Sequence, residues 1–195
     1  MSSSHIFLRI IKKNHRQLLN LDGKLKKFKL ELVKTSGDDQ IPELGGKIQT
    51  IEDKLAMSSF IVIVFSTMAL EAYIYDYAAR HLTDTFVKDH LDGLDTFSKW
   101  IVVPELITGK RLSQPSNWQG ALKRLLKARN SVIHHKSSEP PASFSDMRKY
   151  LEKLEANSAS MFETAKQSIQ LLHQLADKIT EADPEEAPWV NSYLS

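Results

Sequence analysis

Apolar residues recur at alternating steps of three and four through most of this chain, and that period commits it to helices packed on helices. Phe7, Ile11, Leu18, Leu21, Leu25, Phe28 and Leu32 follow it once Asn14 fills one gap. They form an apolar stripe along one face of a first helix, with Gly23 as its weak point. Residues 35–46 hold the Gly, Pro and Asp clusters of a loop. A second long helix is expected over 47–81, with the stripe Ile51, Leu55, Ser58, Val62, Phe65, Ala69, Ala72 and Ala79. Ile61, Val64, Met68 and Ile74 widen it, and a helix apolar over so much of its surface belongs at the centre of a bundle.

Shorter helices are expected over 86–90 and 96–106, broken by Gly93, Pro104, Gly109 and Pro115. Pro115, Ser116 and Asn117 supply the chemistry that opens a helix, here expected to reach His135. Pro140 and Pro141 end it, because proline neither donates a hydrogen bond nor fits a continuing helix. Ser143 or Ser145 then caps a final helix to Ala182, with the stripe Met147, Leu151, Leu154, Met161, Ala165, Ile169, Leu172, Leu175 and Ile179. No run alternates with the two-residue period of a strand. The expected fold is an all-α helical bundle of four to six helices. Residues 1–46 are a basic helix and loop packing on it, 47–182 the bundle itself, and 183–195 a tail carrying the acidic run around Asp183, Glu185 and Glu186.

At 195 residues the chain suits one domain with one core. It has no cysteine, which excludes disulfides, thiolate metal sites and a cysteine nucleophile and fits a cytoplasmic location. The first residues lack a charged region followed by an apolar core, so no secretory leader is expected. The apolar run Phe60 to Phe65 is far shorter than the roughly 20 residues of a membrane span, and no membrane contact is expected. No glycine-rich phosphate loop or nucleophile elbow is present. His81, Asp84, Asp89 and His90 match no closed set of metal ligands, so neither a metal nor another cofactor is expected. Trp100, Trp118 and Trp189 read as packing anchors rather than base-stacking platforms.

Net charge is only +2, but it is unevenly spread. Arg9, Lys12, Lys13, Arg16, Lys24, Lys26, Lys27, Lys29 and Lys34 face only Asp22 and Glu31 in the same segment. Such an arm either attracts phosphate backbones or is the solvated face of a long helix.

The sharpest chemistry lies in Arg129-Asn130-Ser131-Val132-Ile133-His134-His135-Lys136. Arginine clamps a phosphate through parallel N–H donors, and histidine moves protons near neutral pH. On an ideal helix Trp118, Leu122, Leu125, Val132 and Ile133 share a face, and Arg129 falls in its middle. A cation there must be paired, for instance with Glu71, or must reach solvent or a cleft. His134 lies five positions on, roughly 140° around the helix, so one straight helix cannot bring the two side chains together. An unwound last turn can, and so can a second copy of the segment across a twofold axis.

This segment resembles the signature of HEPN-domain proteins (higher eukaryotes and prokaryotes nucleotide-binding): an arginine, a polar residue, then a histidine after four to six intervening residues. The preceding helix 121–128 resembles the one that leads into that signature. Thr67-Met68-Ala69-Leu70-Glu71-Ala72-Tyr73-Ile74-Tyr75-Asp76 is similar to the acidic, aromatic-rich earlier helix of many members. The likeness covers about residues 50 to 180. Lys136 stands where some toxin members carry the tyrosine of a His-X-Tyr motif. The resemblance implies a dimeric helical bundle and a metal-independent endoribonuclease of a toxin or antiviral-defence type, with a neutralising antitoxin or defence partner. It implies catalytic roles for Arg129, Asn130 and His134, with Glu71 and His135 in support. Arg124, Lys127 and Lys136 are the neighbouring cations expected to contact RNA. The alternative is a non-catalytic module of the same kind that binds nucleotide, RNA or a protein partner.

Overall fold

The longest pairing in the molecule follows directly from the first two apolar stripes. Helix α1 (Ser4–Lys34) and helix α2 (Gln40–Leu82) lie antiparallel. Leu21 and Leu25 of α1 close on Ile48 and Ile51 of α2, extended by Phe28, Leu32 and Leu55. Further along, the Phe7 and Phe65 rings meet at 5.8 Å. The computed structural model describes residues 4–35, 40–112, 117–133, 143–186, 189–190 and 194. Beyond α2 come a short helix α3 (Asp84–Phe86), a π-helical turn over Val87–Leu91, α4 (Thr96–Thr108), α5 (Trp118–Ile133) and α6 (Phe144–Ala182). Among the described residues there is no strand. The protein is an all-α bundle, as its periodicity predicts.

Helix α2 occupies the centre and packs against α1, α4, α5 and α6. Two of its buried hydroxyls are accommodated within the helix itself, Ser59 and Thr67 donating to the carbonyls of Leu55 and Ile63 at 2.8 and 3.0 Å, whereas the buried Ser66 hydroxyl has no partner among the described residues. By length and composition α2 qualifies as a possible membrane span, and half of its most apolar stretch is buried against the other helices. The main core joins Val62, Leu70 and Ile74 of α2 to Trp100 of α4, Trp118 and Leu122 of α5, and Leu172 and Leu175 of α6.

Three local expectations need correction. The loop over 35–46 is shorter, because α2 begins at Gln40 and runs through Pro42, Gly45 and Gly46. Pro42 falls in the first turn, where a missing N–H has no intrahelical partner to lose. Burial of Leu44 and Ile48 offsets the roughly 1 kcal/mol that each helical glycine costs. Second, Pro104 does not break α4, which continues to Thr108 and ends at Gly109. Gly109 has φ 69°, a left-handed cap conformation that glycine adopts without steric penalty, and its N–H bonds to the Glu105 carbonyl. Third, the stripe of α6 is core only in its second half. Ala165, Leu172, Leu175 and Ile179 are buried, whereas Leu151 and Leu154 are 51% and 40% exposed.

Candidate functional site

Arg129 is the next member of a packing stripe whose earlier members are all interior. Trp118, Leu122 and Leu125 are buried, and the step of four to residue 129 keeps it on their face. Past it the helix leaves the core, with Val132 half-buried and Ile133 exposed. Arg129 itself is half-buried. Its Nη1 donates to the Asn130 Oδ1 at 3.1 Å, and among the described residues it has no carboxylate partner. A guanidinium has five N–H donors, so this bond leaves most of its capacity for an anion.

Glu71 does not supply the missing charge. Its Oε1 accepts from the Thr96 Oγ1 at 2.7 Å, and no bond to Arg129 occurs among the described residues. The expected support of Arg129 by Glu71 is therefore replaced by a tie between α2 and α4. Arg124 and Lys127 are exposed on α5. Arg124 borders a small cleft between α5 and α6 with Thr164 and Gln167, and Lys123 lies over the Phe97 ring at 4.7 Å. His134, His135 and Lys136 fall outside the described residues. The structure thus brings Arg129 and Asn130 together and leaves Glu71 elsewhere.

Two of the four polar groups weighed for a metal, Asp84 and His90, are engaged separately. His90 packs against Phe86. Asp84 accepts from Tyr75 at 2.6 Å and pairs with Lys88 at 2.5 Å, and those two bonds, Lys88 first, hold its carboxyl below the usual range. Among the described residues no three His, Asp or Glu side chains form a metal-sized group.

A second charged cluster, missed in the sequence, joins the end of α2 to the acidic segment after α6. Arg80 grips Glu186 with two bonds of 2.8 and 2.7 Å. The Tyr73 hydroxyl donates to Glu186 at 3.2 Å, and that of Tyr77 to Asp183 at 2.9 Å. Trp189 stacks on Tyr73 with ring centres 4.3 Å apart, and Val190 and Leu194 are buried. The expected tail is, in its described residues, part of the core. Burial is the first cause, and the carboxylate neighbours the second, that push both phenols well above their ordinary range. These hydroxyls stay protonated and act as donors. One signal was available: Tyr73, Tyr77 and Arg80 follow at steps of four and three along one face of α2.

No protein-family model, curated protein or solved structure matches the chain.

Proposed function

We propose that the protein is a metal-independent endoribonuclease of the HEPN type, serving as a toxin or in antiviral defence in the cytoplasm. The observation that carries this reading is Arg129: a half-buried cation on a packing face, bonded to Asn130 and free of any carboxylate among the described residues. An arginine that stabilised the fold would be expected to hold an acidic partner, as Arg80 does. One that waits for a phosphate is left open.

In the proposed reaction a ribose 2′-OH attacks the adjacent phosphorus and loses its proton to His134. The bond to the 5′-oxygen breaks, and that oxygen takes up a proton from a second acid, His135 or the His134 of a second copy. The products are a 2′,3′-cyclic phosphate and a 5′-OH end. Arg129 stabilises the charge on the phosphorane oxygens, and Asn130 holds the guanidinium or a phosphate oxygen. Because one straight helix turns His134 away from Arg129, the site is completed by a twofold homodimer in which the two segments face each other. Exposed Ile133 on α5 and Leu151 and Leu154 on α6 are apolar surface suited to such a contact.

The test is cleavage of total RNA in excess chelator by the purified protein and by Arg129→Ala and His134→Ala. Each substitution should lower the rate by about a hundredfold or more with the helical circular-dichroism signal unchanged. Full activity in both variants would remove the assignment. RNA binding without any cleavage by the parent protein would favour the non-catalytic module.

A further inference from the structure

The solvent face of α1 holds a charge arrangement that the Arg129 site does not use. Arg9, Lys13, Arg16, Lys24, Lys27 and Lys34 are all exposed. At about 100° per residue they fall within an arc of roughly 80°, opposite the buried Ile11, Leu18, Leu21 and Leu25. At about 1.5 Å per residue the stripe runs roughly 37 Å along the helix. None of the six has an acidic partner among the described residues. The cations that do are off the arc: Lys26 pairs with Asp22 and Lys29 with Glu52, each at 2.7 Å. Glu31 is the single acid on the arc.

Like charges three and four positions apart, as in Arg9–Lys13–Arg16 and Lys24–Lys27, repel by about 0.2–0.5 kcal/mol per pair. The row therefore works mildly against the helix that carries it, which argues for an external anion. A long linear stripe fits a long linear polyanion. A lipid surface fits poorly, because an interfacial helix needs its own apolar face for the acyl chains, and here that face is buried against α2 and α6.

We infer that the solvent face of α1 is a track for the phosphate backbone of RNA. The choice of RNA rests on the ribonuclease reading; the track itself rests on the stripe. It would confer affinity without sequence preference, because phosphate contacts position a strand and base contacts specify it.

The test measures binding of a 2′-O-methyl RNA across a salt series. Such a strand has no attacking hydroxyl, so cleavage does not intrude, and the ribonuclease reading is judged separately on unmodified RNA. Two full-length variants are compared with the parent: Arg9→Gln/Lys13→Gln/Arg16→Gln on the stripe, and Lys12→Gln/Lys26→Gln/Lys29→Gln off it. Loss of three phosphate contacts should reduce the slope of log K against log salt by about 2, and the off-stripe variant should change it by less than half as much. Circular dichroism checks that both remain helical. Equal slopes for the two variants would overturn the track, since net charge alone would then explain binding. So would unchanged RNA binding in the stripe variant accompanied by lost binding to phosphatidylserine vesicles.

Discussion

Two arginines on two helices meet opposite fates in this molecule. Arg80 leaves the end of α2, is matched by a bidentate carboxylate from Glu186, and lies beside two phenols that complete the cluster. Arg129 leaves the end of the α5 stripe, and its bond among the described residues is to the amide of its neighbour Asn130. A charge taken from water must recover what it loses. At Arg80 the protein supplies the compensation itself. At Arg129 no carboxylate among the described residues supplies it. On the proposed reading, the difference separates a cation that holds the chain together from one available for chemistry.

The strongest way to stress the first half of that contrast is Glu186→Ala. Glu186 is 8% exposed, and its loss leaves the buried Tyr73 hydroxyl without its acceptor and unpins Arg80. Since Arg80 is half-exposed and can rehydrate, the cost should be about 2–3 kcal/mol. That corresponds to a fall of roughly 5–10 °C in melting temperature, read by thermal circular dichroism. A change below about 1 °C would mean that the cluster contributes little.

A smaller effect concerns alkaline pH. The folded state weakens the acidity of Tyr73 and Tyr77, holding their pKa values above the ordinary phenol range, so above about pH 10 the unfolded chain has lost protons that the native chain still holds. Stability from these groups is complete below that pH and declines as pH rises through the folded values. Urea midpoints taken from neutral pH upward should therefore fall, and less steeply in Tyr73→Phe/Tyr77→Phe. A parallel decline in both proteins would assign the loss to other groups.

The smallest effect sharpens the other half. Glu71→Gln keeps an oxygen for the Thr96 hydroxyl, so RNA cleavage should stay within about threefold of the parent, under roughly 1 kcal/mol in the barrier. A loss comparable to that of Arg129→Ala would place Glu71 in the site and end the distinction drawn here.

What was legible in the sequence was whatever repeats locally. Apolar steps of three and four located every long helix, because neighbours on a helix face are close in sequence. The same rule placed Arg129 on the packing face of α5. It could not see Glu186 approaching Tyr73 across 113 positions or Asp183 approaching Tyr77 across 106, so the acidic run read as part of a tail. Nor could it see Thr96 taking the Glu71 carboxylate. Pro42, Gly45 and Gly46 suggested a loop by local propensity, and burial of Leu44, and of Ile48 against α1, overrode it. Leu151 and Leu154 failed in the reverse sense: the period is present, but no described helix covers them.

The most direct measurement pairs Arg129→Ala with Arg80→Ala and reads both RNA cleavage and melting temperature for each. Arg129→Ala should lose cleavage by about a hundredfold or more while melting within about 2 °C of the parent, since no ion pair among the described residues is broken. Arg80→Ala should melt roughly 4–8 °C lower and keep its cleavage rate at temperatures where it remains folded. The contrary result is a marked loss of stability in Arg129→Ala with cleavage intact, which would make Arg129 a structural cation like Arg80.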